Sequence, residues 1–350
     1  MENNIETSGS HTENGITVDT FRLEDAEGIV RLFRAVYGEN YPIQLFYDPE
    51  AIAAANREGR YHSIVARTRS GEIVGVTHVF PSAPSSAVLE AGLGMVLKEY
   101  RNAGVNGRIL NFIFEEFAPN ILHAEELYGE AVCNHTIQQK NMVRYKFVEP
   151  ALEIALMPVE AYRKEQSAAG RVAALNAFRC YRGKPHRIYL PAVYESILRQ
   201  IYASLDDVRD IVVSSGKVPD DTASRGDLTV FDFARVARIT VHDIGSDIAA
   251  FLSDMESRGI AQNAVVLQAR VNLATPWVGD AVNCLRNMGY FFGGAQPRWF
   301  DTDGFLMQKL LCPPDFDGIQ LLTDFSRQLL EFIREDWRRA AGGTRPSGQA

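Results

Sequence analysis

The sequence predicts a mixed α/β fold arranged as two domains in tandem. Strand-like and helix-like apolar patterns alternate from Ile16 onward, which is typical of a sheet with helices on both faces. The chain has 350 residues, and single hydrophobic cores stop growing at roughly 250–300 residues. Two domains are therefore expected.

The first half has the clearer pattern, in the order β-α-α-β-β-β-α-β-α-β. Acidic residues stand at the start of the first helix, where they suit the helix dipole. Arg69-Ser70-Gly71 is a hairpin turn signal between the second and third strands. The predicted strands are 16–21, 62–68, 72–80, 88–96, 126–133 and 151–157, and the predicted helices are 23–36, 49–57, 107–117 and one from about residue 136.

The second half repeats this order less clearly. Its predicted strands are 172–181, 187–190, 228–241, 263–271 and 304–311, and its helices are one from Pro191, 244–258, 279–288 and 316–337. The predicted organisation is a disordered leader (1–15), a domain (16–160), a polar linker (161–170), a second domain (171–339) and a disordered tail (340–350).

Composition excludes several classes of function. A net charge of −8 argues against a nucleic-acid surface, which needs clustered Lys and Arg. No apolar run approaches the roughly 18 residues of a membrane span, and residues 1–15 lack a signal-peptide core. The four cysteines have no CxxC spacing, so we expect reduced thiols and no metal site. A cytoplasmic location is the expectation, and the sequence does not set the oligomeric state.

The most informative segment is GLGMVLKEYRNAGVNGRIL, residues 92–110. A strand leads into a glycine-bearing turn that opens a helix, which directs backbone N–H groups and the positive helix end at one spot. Gly104 and Gly107 let a ligand approach the backbone without meeting a Cβ atom. A pyrophosphate is the expected occupant.

This segment resembles the phosphate-binding turn of the GNAT-superfamily acetyltransferases, whose signature is R/Q-x-x-G-x-G/A at the head of a helix. Arg101 and Gly104 match, whereas Asn106 departs from the usual Gly or Ala, and Gly107 follows it. The resemblance spans about residues 16–158. It implies a GNAT acyl-CoA N-acyltransferase fold that uses acetyl-CoA as co-substrate and no metal, with the pantetheine arm between the fourth and fifth strands. The cofactor-binding residues that it implies are Met95, Val96, Leu97, Arg101, Asn102, Ala103, Gly104, Val105, Asn106 and Gly107.

Acyl transfer to an amine needs a base for the ammonium. GNAT enzymes often use a Glu on the fourth or fifth strand, and Glu90 is the first candidate because its apolar neighbours favour a raised pKa. The simpler alternative is a sheet-edge carboxylate that holds a cation. Glu130 is a second candidate. His135 is a third candidate, although its neighbours in the sequence are also typical of the start of a helix.

The usual general acid of the superfamily is a Tyr on the helix after the fifth strand, and Met142 holds that position here. Either Tyr145 or Tyr128 substitutes, or water protonates the thiolate, or the domain binds without turnover. The favoured function is transfer of acetyl to a primary amine of a small molecule or peptide, and the alternative is a non-catalytic acyl-CoA or metabolite-binding module. The residues expected to floor the acceptor pocket are Arg31, Tyr37, Tyr41 and Tyr47.

In the second half, residues 283–294 resemble the C-terminal half of another GNAT repeat. The matching turn, residues 241–247, has no Arg and carries two acids, which would repel a phosphate. We therefore predict a degenerate GNAT-like repeat without a CoA site. Gly245-Ser246 is also consistent with a simple helix start.

Overall fold

The computed structural model describes residues 11–13, 15–39, 41–159 and 170–342. The chain divides into two compact units, Met1–Gly129 and Glu130–Ala350. The sequence placed the division at a linker over 161–170, which lies outside the described residues except for Gly170. Residues 11–13 form a strand, which corrects the predicted disordered leader there. Residues 340–342 end a helix, which corrects the start of the predicted tail.

The first unit is a mixed sheet with helices packed on it, in the strand order β1-β2-β3-β4-β5-β6. Neighbouring strands are antiparallel except β5 and β6, which are parallel. The last residues of β6 belong to the second unit. The elements are β1 His11–Glu13, β2 Ile16–Thr20, α1 Ala26–Tyr37, α2 Pro49–Arg57, β3 His62–Thr68, β4 Ile73–Pro81, β5 Val88–Val96, α3 Val105–Phe112 and β6 Glu126–Val132.

Local signals account for these elements. Asp48 accepts a hydrogen bond from the Glu50 amide at 2.9 Å and Pro49 opens α2, so both start signals of this helix are used. Helix α1 buries Ile29, Leu32 and Phe33. They pack in one core with residues of β3, β4 and β5. After α3 the chain continues as a π-helix, Ile113–Ile121.

The second unit has the strand order β8-β7-β14-β15-β13-β12-β11 and a separate parallel pair, β9 and β10. Strands β12 and β13 are parallel, whereas β7 and β8 are antiparallel. The elements are α4 Ile137–Arg144, β7 Val148–Met157, β8 Val172–Cys180, β9 His186–Leu190, α5 Glu195–Tyr202, β10 Arg209–Val213, β11 Arg225–Phe231, β12 Val236–Asp243, α6 Ile248–Ala261, β13 Val266–Asn272, α7 Val278–Asn287, β14 Phe291–Gln296, β15 Gly304–Leu310 and α8 Asp324–Gly342.

Two predictions for this unit were wrong, and two of its strands were not predicted. The single strand predicted at 228–241 is the hairpin β11–β12, which turns at Arg235 with φ 52°. The strands β10 and β14 were not predicted. Helix α8 begins at Asp324 instead of residue 316, because the Thr323 hydroxyl accepts a hydrogen bond from the Ser326 amide at 3.1 Å and caps the helix there.

Candidate active site in the first unit

The pairing of β5 with β6 ends part-way along β5. Their parallel pairing covers Val88–Glu90 and Glu126–Tyr128, although β5 continues to Val96. Beyond Glu90, the side of β5 that faces β6 is therefore not used by the β5–β6 ladder. On that side of β5, the backbone N–H and C=O groups beyond Glu90 need partners other than this ladder, and a ligand can supply them.

Strand β5 also carries a bulge just beyond the end of this ladder. Against β4, Met95 pairs with Val76 but Gly92 pairs with His78, so β5 holds one extra residue there. Leu93 adopts φ 55°, a left-handed value that is uncommon for a residue with a side chain. Bulges of this kind bend the strand and re-aim its groups beside active sites.

The end of β5 leads into the glycine turn. The Leu97 amide donates to the Val74 carbonyl at 2.9 Å, and the chain then forms a 3₁₀ turn over Lys98–Ala103. Gly104 has φ 72° and ψ 8°, which glycine adopts without strain. The first helical bond of α3 runs from the Arg108 amide to the Gly104 carbonyl at 3.1 Å. The turn therefore has the predicted strand–turn–helix form.

The space in front of this turn is open. A Cβ atom built on Gly104 or on Gly107 would meet no atom within 4 Å. Arg101 is exposed, and its Nε atom donates to the Val96 carbonyl at 3.2 Å, which holds the guanidinium near the end of β5. Together with the N-terminal amides of α3, this arrangement suits a diphosphate.

Glu90 lies on β5 at the point where the β5–β6 ladder ends. Its Oε1 atom is 2.7 Å from the position that a Cβ atom of Gly92 would take, so both residues face the same side of the sheet. Tyr128 on β6 is the register partner of Glu90 and is 1% exposed. Paired residues of neighbouring strands are about 4.8 Å apart. The structure thus places a half-buried Glu and a buried Tyr at paired positions where the β5–β6 ladder ends.

Seven rings pack together beside Glu90 and form what we call the aromatic basin. Burial raises the pKa of Tyr41, and Tyr37, Tyr61 and Glu90 add to that rise. Burial also raises the pKa of Tyr61, with a further contribution from Glu90 and a smaller opposing one from Arg60. Both phenols therefore stay neutral close to the carboxylate. The basin consists of Phe33, Tyr37, Tyr41, Phe46, Tyr61, His78 and Phe80, with ring centroids 4.4–6.3 Å apart.

The residues expected to form the floor of an acceptor pocket lie in different places. Tyr37 and Tyr41 lie in the basin with their ring centroids 4.7 Å apart. Tyr47 instead fastens the loop after α1, because its hydroxyl donates to the Gly38 carbonyl at 2.8 Å and accepts from the Tyr41 amide at 2.9 Å. Arg31 lies in α1 near Gly28, and its side chain is exposed.

Among the basin residues, the sequence predicted only Tyr37 and Tyr41 for the site, and not Phe33, Phe46, Tyr61, His78 or Phe80. A signal was present for the last two, since strand alternation puts His78 and Phe80 on one face of the predicted third strand. No local pattern marks Tyr61, which reaches the basin only because β3 pairs beside β4.

The other predicted catalytic residues belong to the second unit. Glu130 is half-buried at the end of β6. His135 precedes α4, and its Nδ1 atom is buried without a hydrogen-bond partner among the described residues. Tyr145 is 5% exposed with the guanidinium of Arg144 over its ring at 5.5 Å. Met142, at the usual position of the acid, is also buried.

The corresponding turn of the second unit is filled by the chain itself. The Gly245 amide donates to the Ser224 hydroxyl at 3.0 Å, and the Ser246 amide donates to the Thr222 carbonyl at 2.9 Å. A Cβ atom on Gly245 would lie 2.3 Å from the backbone carbon of Ala223. Segment 222–224 therefore stands where a phosphate would have to bind.

Within the described ranges, no cluster of three or more His, Cys, Asp or Glu side chains is arranged to bind a metal ion. In the same residues, every helix is too short or too polar to span a bilayer. The four cysteines, all of them in the described part of the chain, are thiols and not disulfides, as the sequence predicted.

Comparison with solved structures finds similarities, each at low sequence identity. No protein-family model and no curated protein matches the chain. Ribosomal-protein-S5-alanine acetyltransferase from Vibrio fischeri is 12% identical with a TM-score of 0.40, covering 49% of this chain and 97% of that one. Spermidine/spermine N-acetyltransferase from Vibrio cholerae is 13% identical with a TM-score of 0.38, covering 47% and 92%. Ribosomal-protein-S18-alanine N-acetyltransferase from Escherichia coli is 13% identical with a TM-score of 0.37, covering 48% and 96%.

Proposed function

We propose that this protein is an N-acyltransferase that moves the acetyl group of acetyl-CoA to a primary amine. One observation carries the proposal: the β5–β6 ladder ends at Glu90, and the rest of β5 leads from there to the glycine turn. A thioester with a long diphosphate-bearing arm fits such a path, because its polar end and its reactive end need sites at opposite ends of one strand.

In this proposal the diphosphate binds at the amides of residues 102–107, with Arg101 as an additional charged donor. The pantetheine arm runs along Met95, Val96 and Leu97. The open space at Gly104 and Gly107 supports this placement, since any side chain there would occupy it. Asn106 departs from the family signature but lies in the first turn of α3, where its backbone amide serves as well as that of glycine.

Two side chains would move the protons. Glu90 accepts one proton from the substrate ammonium, which leaves a neutral amine to attack the thioester carbonyl carbon. The carbon–sulfur bond breaks as the carbon–nitrogen bond forms, and the leaving thiolate takes the hydroxyl proton of Tyr128. The nitrogen then loses its second proton, which restores the Tyr128 hydroxyl. The products are the amide, free CoA thiol and one proton passed from Glu90 to water. Glu130, His135 and Tyr145 are the alternatives if Glu90 or Tyr128 is dispensable.

We also propose that the second unit is a degenerate GNAT-like repeat, so that the chain binds one CoA. Its parallel pair β12 and β13 and the antiparallel β15 between β13 and β14 support a repeat. The turn filled by residues 222–224 supports the loss of the CoA site.

A second candidate function is a non-catalytic acyl-CoA-binding module. The observation that favours it is the buried Met142 at the position of the usual acid. Calorimetric titration with acetyl-CoA and a free-thiol assay over a panel of amines separate the two functions. Our proposal predicts one site per chain and thiol release that depends on the amine. Binding without release for every amine would favour the module, and two sites per chain would contradict the degenerate repeat.

A further inference from the structure

The aromatic basin has a buried floor and an accessible rim. Phe33, Phe46 and His78 are at most 1% exposed. Phe33 and Phe46 stack at 4.4 Å with an interplanar angle of 2°. The rim consists of Tyr37, Tyr41, Tyr61, Phe80 and Glu90, all of which keep part of their surface accessible.

The floor carries no charge. Burial lowers the pKa of His78 to about 3, and its Nδ1 atom is 2.9 Å from the Ser63 hydroxyl. An imidazolium under the basin would repel a cation, whereas the neutral ring does not. The carboxylate of Glu90 lies at the rim beside Phe80, because its Oε1 atom and the Phe80 Cε1 atom are 2.7 and 3.5 Å from one point, the Cβ position of Gly92. It also contributes to the raised pKa of Tyr41.

Aromatic faces next to a carboxylate form a site for a cation. The ring quadrupole presents its negative face to an ammonium, and partial burial strengthens that attraction. The phenol oxygen of Tyr41 accepts a hydrogen bond from an N–H group while it remains protonated. A ligand carboxylate in the same place would face Glu90 and the same π faces, so it would be repelled.

We infer that the acceptor is an aliphatic primary amine that binds as its ammonium, with its methylene chain on the aromatic basin and no carboxylate of its own. This inference rests on the proposed function for the chemistry that follows binding. It adds the class of acceptor: unsubstituted alkylamines and lysine-like side chains are accepted, and amino acids of similar length are rejected. The ammonium that the rings select is also the group from which Glu90 takes the proton.

The test uses two probes of equal length, n-pentylamine and 5-aminopentanoate, with the full-length protein. We expect kcat/KM in the thiol-release assay to be at least about tenfold higher for n-pentylamine, the discrimination that repulsion of a buried like charge readily gives. Saturation-transfer NMR with n-pentylammonium in the absence of acetyl-CoA measures binding separately from turnover.

Two variants of Tyr61 serve as a matched pair. Tyr61→Phe keeps the π face and should change the KM for n-pentylamine less than about threefold, whereas Tyr61→Leu should raise it by about 3- to 30-fold, the range of a cation–π contact. Binding of n-pentylammonium without thiol release would overturn the proposed function and leave the ammonium site supported. Thiol release with 5-aminopentanoate as the better acceptor, or equal KM values in the two variants, would overturn this inference and leave acyl transfer intact.

Discussion

Alanine at Gly104 and alanine at Gly107 have opposite expected effects on stability and the same expected effect on CoA binding. Gly104 has φ 72°, so alanine there costs about 1–2 kcal/mol of folding free energy. Gly107 lies in the first turn of α3 outside the positive-φ region, where alanine favours the helix by up to about 1 kcal/mol. The two substitutions should therefore shift the unfolding free energy in opposite directions.

Both Cβ atoms would project into the open space in front of the turn. If the diphosphate binds there, each substitution displaces it from at least one backbone amide. A hydrogen bond to a charged group contributes about 1.5–3 kcal/mol, which corresponds to about 10- to 100-fold in the dissociation constant. Gly107→Ala should thus be at least as stable as the wild type and yet bind CoA much more weakly.

Urea unfolding and calorimetric titration with CoA measure the two quantities. The matched control is Gly245→Ala in the second unit, whose Cβ atom would lie 2.3 Å from the backbone of Ala223. That variant should lose stability and keep its CoA affinity. Unchanged CoA affinity in Gly107→Ala would refute the placement of the diphosphate.

Three further predictions concern the acid, the pH dependence of stability and the two halves. Tyr128→Phe should lower kcat by about 10²-fold with little change in CoA affinity, and a wild-type rate would leave protonation of the thiolate to water or Tyr145. Burial lowers the pKa of His186, but the hydrogen bond and charge of the buried Asp303 outweigh it and leave this pKa raised. The stability from this pair is therefore full below about pH 6.5 and is lost as the pH rises through the raised value. Urea unfolding should show that loss as the pH rises above about 6.5, and a wild-type profile in Asp303→Asn would contradict the assignment. Residues 1–165 keep β7 without its antiparallel neighbour β8, so this fragment should be poorly soluble, and a stable, fully active monomer would contradict that expectation.

Much of the first unit follows from local sequence signals. Strand β5 and helix α2 have the bounds that the sequence predicted, because an N-cap, a proline at the first helical position and a glycine turn all act within a few residues. The glycine turn was predicted for the same reason.

What the sequence did not reveal depends on contacts between distant segments. The aromatic basin combines residues of α1, the loop after it, the position just before β3, and β4, and no periodicity links Tyr61 to Tyr41. The turn at Gly245 is filled by residues 222–224, and the whole β11–β12 hairpin separates these residues from the turn along the chain. Strand β14 carries Gly293 and Gly294, which weaken its strand pattern, and it is held by its pairing with β15.

The most direct test of acyl transfer is the detection of the acetylated amine by mass spectrometry together with the free thiol, in wild type and in Glu90→Gln. We predict that amide and thiol form in a one-to-one ratio in the wild type. The Glu90→Gln rate should fall by about 10²–10⁴-fold with unchanged CoA affinity, as expected for loss of a general base. A wild-type rate in Glu90→Gln, or thiol release without any acetylated amine, would contradict the proposed chemistry.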